Sequence, residues 1–160
     1  MKYTASLDPL SKVVTVSCFL FFSALTVVVF QNYAISYFSV AGVALLWAVL
    51  ILCYGFAPRY YVVDKHNLQA WSRWTMFVWP VNEIREISLL SEPELRWAWR
   101  LIGVGGLFGY YGIFWHKNFG RMIWYGTQRK NYVLLTLDTG RKVVLTPDNP
   151  REFVAEFKSE

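Results

Sequence analysis

Cysteine and histidine are nearly missing from this 160-residue chain, which has two of each: Cys18, Cys53, His66 and His116. Beyond residue 53 there is no thiol nucleophile and no His/Cys spacing for zinc, so neither a metal nor another cofactor is expected. The absence of cysteine there fits a reducing compartment, and Cys18 and Cys53, set in apolar runs, read as packing residues and not as a disulfide. No Gly-Lys-Ser/Thr follows Gly103, Gly105 and Gly106, so these glycines read as bend and close-packing residues of a curved sheet and not as a phosphate loop. The pairs Glu83/Glu86 and Glu92/Glu94 sit where solvated surface carboxylates sit, and no catalytic residue is expected. Charge is the other scarcity. Asp, Glu, Lys and Arg make up 17% of the residues, against about a quarter in ordinary globular chains. The deficit lies in one tract: from Val13 to Ala57 there are 45 consecutive positions without Asp, Glu, Lys, Arg or His. That tract argues against a wholly soluble protein, and an apolar share of 55% excludes a disordered or collagen-like one.

A bilayer core of about 30 Å takes roughly 20 helical residues at ~1.5 Å each, so the tract suffices for two crossings and not three. Residues 31–36 (QNYAIS) are its polar-leaning break. They divide it into spans at 13–31 and 37–56, a transmembrane hairpin over 13–56 that leaves 1–12 as a cytoplasmic tail and 57–160 as a domain. The first span exceeds the apolar core of a secretory signal, roughly 7–15 residues, and no small-x-small site closes it, so it reads as retained. Lys2 and Lys12 precede the hairpin, its turn carries no cation, and Arg59, Lys65 and Arg73 follow it; the positive-inside rule then places both termini in the cytoplasm. Tyr33, Tyr37, Trp47 and Tyr54 include candidates for the aromatic interface belt. A further uncharged stretch, Leu101–Trp115 (LIGVGGLFGYYGIFW), holds five glycines and is too short to cross. Crossing would also carry the eight basic residues from Lys117 to Lys158 to the far side, so the stretch reads as loop and strand.

From Arg59 on, short alternating runs broken by turn residues predict antiparallel β-structure. Tyr60–Asp64 and Leu68–Thr75 form a first hairpin. Trp79 and Pro80 interrupt the next run, because proline has no ladder donor, and Glu83–Leu90 resumes as a strand. Ser91 with Glu94 matches a capping box and predicts a short helix toward Ile102. Tyr111–His116 and Arg121–Gln128 are strands. Tyr132–Asp138 alternates cleanly, with Val133, Leu135 and Leu137 on one face, and Gly140 supplies the positive φ of the turn into Arg141–Thr146. Six or seven strands result. In the closing segment Asn149 caps, Pro150 opens and Glu152 completes the box of an amphipathic helix; its Phe153 and Phe157, at i and i+4, need a buried site such as the open end of a bent sheet.

Gly109–Phe114 (GYYGIF), Gly120 and Arg121, Tyr125–Thr127 (YGT), Tyr132–Thr136 (YVLLT) and Val144–Phe153 (VLTPDNPREF) resemble the bacterial pleckstrin-homology-like (PH-like) domains. The chain is similar to members with one or two membrane helices ahead of the domain. The resemblance implies a membrane-anchored α+β protein of the bacterial inner (cytoplasmic) membrane. It implies a strongly bent antiparallel β-barrel of two nearly orthogonal sheets, plugged by the C-terminal helix, and a role in binding, not catalysis.

Eukaryotic relatives that hold inositol phosphates use several basic residues around the first hairpin. Only Lys65, His66 and Arg73 stand there, so specific phosphoinositide binding is not expected. A net charge of +5 suits an anionic leaflet, at about 1 kcal/mol per cation near the surface, and calls for no nucleic acid. Lys65, His66, Arg73, Arg129 and Lys130 are the candidate ligand-binding rim, loop cations at one barrel end for an acidic protein, peptide or lipid. Trp97, Trp99, Tyr110 and Tyr111 are candidates for the headgroup level of the bilayer. The alternative to a binding module is an assembly subunit of a larger membrane complex, acting through its helices with Ser39, Gly42 and Ala44 at the interface.

Overall fold

The computed structural model describes residues 1–31 and 36–159. Most of the polar break, with the belt candidate Tyr33, lies outside the described residues. The chain opens with strand β1 (Lys2–Thr4), followed by helices α1 (Pro9–Gln31) and α2 (Tyr37–Phe56). Both helices are long and apolar enough to cross a membrane. Pro9 opens α1, where proline's missing N–H costs nothing, and the Asp8 carboxylate accepts from the Ser11 N–H at 2.7 Å. Between the helices, Trp47 Nε1 donates to Thr26 Oγ1 at 3.0 Å, and Phe19 and Phe22 meet the Trp47 ring edge-on. Trp47, a belt candidate in the sequence, thus sits in the seam between the helices. An added Cβ on Gly42 would meet nothing within 4 Å, so this small residue is not used in that seam.

Strands β2 (Pro58–Val63), β3 (Asn67–Ser72) and β4 (Met76–Pro80) join β1 in a four-stranded sheet ordered β1-β2-β3-β4. A 3-10 turn at Val81–Glu83 leads to β5 (Ile84–Leu90), the single helical turn α3 (Glu92–Leu95), then β6 (Trp99–Gly105) and β7 (Tyr110–His116). β8 (Gly120–Gly126), β9 (Tyr132–Leu137), β10 (Lys142–Leu145) and helix α4 (Pro150–Ser159) complete the described chain. The second sheet is ordered β5-β9-β10-β8-β7-β6. Alternation along β9 and β10 serves two cores. Val133, Leu135, Val143 and Leu145 face Tyr61 and Leu68 of the first sheet, and Phe153 and Val154 of α4 seal that layer. On the other face, Leu134, Val144, Trp124 and Phe114 pack beneath Leu95, which α3 inserts fully buried.

Several expectations are corrected. The two sheets face each other as a sandwich and do not close into a barrel. The sheet is not wholly antiparallel, because β10 inserts between β8 and β9 and pairs parallel with β8 while pairing antiparallel with β9. Residues 2–4 are not tail: β1 lies antiparallel to β2 in the register Lys2↔Val62, Tyr3↔Tyr61, Thr4↔Tyr60. Met76–Pro80 forms a complete strand, with proline tolerated at its last position on a sheet edge. The capping box at Ser91 is present, its N–H and hydroxyl both donating to Glu94, but the helix lasts one turn because Trp99–Gly105 pairs with β7. That pairing makes the glycine-rich stretch a hairpin. Gly103 and Gly112 face each other at φ +124° each, and a Cβ on either would fall 2.3 Å from a carbonyl oxygen of the opposite strand.

Candidate functional site at the base of the helices

Three turns of the domain grip the helix ends next to β1 and β2. The β3–β4 turn caps α2: the backbone N–H groups of Arg73 and Trp74 both donate to the Gly55 carbonyl, at 3.1 and 3.2 Å. The Arg73 guanidinium lies 3.9 Å over the Tyr54 ring, and Trp74 packs edge-on against Phe56. The β6–β7 turn reaches α1, where the Phe108 N–H donates to Thr15 Oγ1 at 3.0 Å. Phe108 has φ +56°, a strained value for a bulky residue, held by that bond and by its T-shaped contact with Tyr54. The β8–β9 loop holds the segment before α1: Asp8 N–H donates to the Thr127 carbonyl, and Asp8 Oδ2 accepts from the Arg129 N–H, 3.2 Å, and the Tyr110 hydroxyl, 3.2 Å. Nearby, Asp148 accepts from Thr4, Ser6 and Gln128 at 2.6–3.4 Å. Partial burial pushes its carboxyl up, but these hydrogen bonds together outweigh that and hold it below the ordinary carboxylate range.

Two clefts flank this base. The first, about 300 Å³, lies between the sheets, with Leu52, Cys53 and Phe56 of α2 on one side and Phe77, Val104 and Tyr125 on the other. Tyr111 closes one wall, its hydroxyl donating to the Cys53 carbonyl at 2.5 Å; burial pushes that phenol far up. The second, about 270 Å³, lies on the opposite face of the second sheet and includes Arg100, Tyr110, Trp124 and Arg129. Burial pushes the neighbouring Tyr132 phenol up to about 12, with the Arg129 guanidinium pulling the other way.

The five cations of the sequence-derived rim do not come together. Lys65 and His66 are exposed in the β2–β3 turn, while Arg73 lies beyond the other end of β3, about 20 Å away at ~3.3 Å per strand residue. Arg73 sits at the base of α2, and Arg129 and Lys130 lie in the loop beside Asp8. Tyr110 and Tyr111 are buried, 4% and 9% exposed, and so are wall residues and not headgroup contacts. Trp97 and Trp99 are exposed, but Trp99 pairs with Trp115 at the end of the β6–β7 hairpin remote from Thr15. Arg100, Trp124 and Asp8 escaped the sequence reading: strand pairing sets Arg100 and Trp124 into one cleft, and Asp8 is a single residue ahead of α1 whose partners lie in distant segments. Among the described residues no three His, Cys, Asp or Glu side chains are placed to hold a metal.

Residues 59–160 match the family model described as Bacterial PH domain. The match starts one residue inside β2, so the family covers both sheets except β1, which the chain supplies from ahead of its helices. No curated protein and no solved structure matches the chain. The match spans well over half of the residues and includes every strand that forms the two clefts, and the chain therefore belongs to the bacterial PH domain family.

Proposed function

We propose that this protein is a membrane-anchored binding module of the bacterial PH family. It holds a protein, peptide or lipid ligand at the cytoplasmic face of the inner membrane and performs no catalysis. The observation that carries this reading is the way the domain is built onto the helix ends. Phe108 on Thr15, Tyr111 on Cys53, and Arg73 and Trp74 on Gly55 fix the domain to the first turns of α1 and the last turn of α2. With β1 paired to β2, the chain leaves and re-enters the helical hairpin on one side. The positive-inside bias of Lys2, Lys12, Arg59 and Arg73 makes that side cytoplasmic. Two apolar helices of 23 and 20 residues match the roughly 20 that a bilayer crossing takes. Alkaline extraction of membranes, combined with an activity reporter fused behind Glu160, tests the reading. The chain is expected to stay in the pellet and the reporter to be active in the cytoplasm. A chain that washes off, or a reporter active only on the far side, refutes it.

A further inference from the structure

We infer that the cleft beneath β6, with Arg100, Arg129 and Trp124 in its walls, is a binding site for a phosphate group. Trp124 is 1% exposed and its indole N–H has no acceptor. Buried donors are paired as a rule, so an orphan one in a cleft wall marks the place of an absent acceptor. The cleft of about 270 Å³ has room for roughly nine groups of water size at ~30 Å³ each, ample for a phosphate with its ester substituent. The Arg100 side chain runs forward along its own strand, so that Nη1 lies 3.1 Å from where a Cβ on Gly105 would stand. The guanidinium is thereby carried toward the helix-base end of the cleft. The Arg129 guanidinium lies over the Tyr110 ring and donates to the Arg96 carbonyl at 3.4 Å.

Asp8, the carboxylate at this end, is already engaged by the Ser11 and Arg129 backbone N–H groups and the Tyr110 hydroxyl. Glu92 is a second acid nearby, its charge felt at Tyr132, whose ring packs against Trp124. Against these two acids stand the Arg100 and Arg129 side chains of the lining, with Lys130 next to Arg129 in the chain. Two guanidinium groups and an unpaired ring N–H thus line one cleft, and donors of that kind suit an acceptor with several oxygens, the recognition chemistry of phosphate. The group comes from a lipid headgroup, since Tyr110 of the lining is bonded to Asp8 at the start of α1, or from a phosphate ester in solution. The site deepens the binding-module reading and rests on that part of it alone; free phosphate reaches it whether or not the helices enter a bilayer.

The test follows the indole resonance of Trp124 by NMR in the full chain, identified by its loss in Trp124→Phe. One arm titrates inorganic phosphate into the protein in zwitterionic micelles; the other compares phosphatidylcholine nanodiscs with and without phosphatidylglycerol. The indole signal is expected to shift saturably in at least one arm. Arg100→Gln and Arg129→Gln are each expected to weaken the response about tenfold, the value of one charge-assisted hydrogen bond. A shift with phosphatidylglycerol alone identifies the lipid source, and a shift with free phosphate the soluble one. The remaining indole signals report that the variants are folded. A Trp124 signal that stays fixed in both arms, moves equally with chloride at matched ionic strength, or responds unchanged in both arginine variants overturns the site. The alkaline extraction above reports separately on anchoring.

Discussion

The two sheets are joined by one buried hydroxyl whose removal has a calculable effect. Tyr61 on β2 is fully buried; its hydroxyl donates to the Tyr125 carbonyl of β8 at 2.5 Å and accepts the Thr146 N–H just past β10 at 3.2 Å. Tyr61→Phe keeps the ring, including its edge contact with Phe153, and orphans a carbonyl and an N–H inside the protein. Each orphaned buried group costs about 1–3 kcal/mol, and the hydroxyl's own desolvation in the wild type offsets part of the sum, so a net loss of ~2–3 kcal/mol is expected. For a domain of this size that corresponds to a fall in Tm on the order of 10 °C. Urea unfolding of the full chain in micelles, followed by near-ultraviolet circular dichroism of the tryptophans, measures it. Tyr60→Phe is the control: Tyr60 is only partly buried, its ring stacks on Trp71, and its loss is expected to cost less than ~0.5 kcal/mol. If Tyr61→Phe behaves like that control, the hydroxyl does not tie the sheets and the reasoning fails.

The phenols of Tyr61, Tyr125 and Tyr132 are each pushed up to about 12 by burial, above an unfolded value near 10. Because the folded state favours the neutral form, their contribution is complete below pH ~10 and is lost as pH rises from there through about 12. Tyrosinate absorbance is expected to show a late-titrating group of tyrosines that ionises together with loss of the near-ultraviolet signal; ordinary titration of every tyrosine in an intact fold contradicts this. Gly112→Ala sets a Cβ 2.3 Å from the Ile102 carbonyl at φ +124°, and the same urea assay is expected to show a loss of at least ~3 kcal/mol. Gly42→Ala, with nothing within 4 Å, is expected to be neutral or to gain up to ~1 kcal/mol of helix propensity.

Legibility in the sequence followed the range of the interactions. The alternation of β9 and the positive φ of Gly140, +76°, are local, as are the Pro150 start of α4 and the burial of Phe153, and all were readable. β4 was hidden because proline at an edge looks like a break, and β6 because its glycines look like loop until each is set against the backbone of β7. β1 has only three residues, too few for a period, and its partner lies beyond both helices. The rim failed because charge alone does not tell one end of a strand from the other: Lys65 and Arg73 are close in sequence but flank β3. Arg100 and Trp124 come within one cleft only through β7, the strand between theirs.

The pairing of β1 with β2 also bears on how the molecule is made. β1 emerges from the ribosome more than fifty residues ahead of its partner, Tyr60–Val62, which follows the second helix. Closing a loop of that length costs only a few kcal/mol of chain entropy, and a helical hairpin that brings its own ends together lowers the cost further. The four-stranded sheet can therefore be completed only after both helical segments have been synthesised. Trimming the residues ahead of Pro9 strips that sheet of an edge strand and Asp148 of its Thr4 and Ser6 donors.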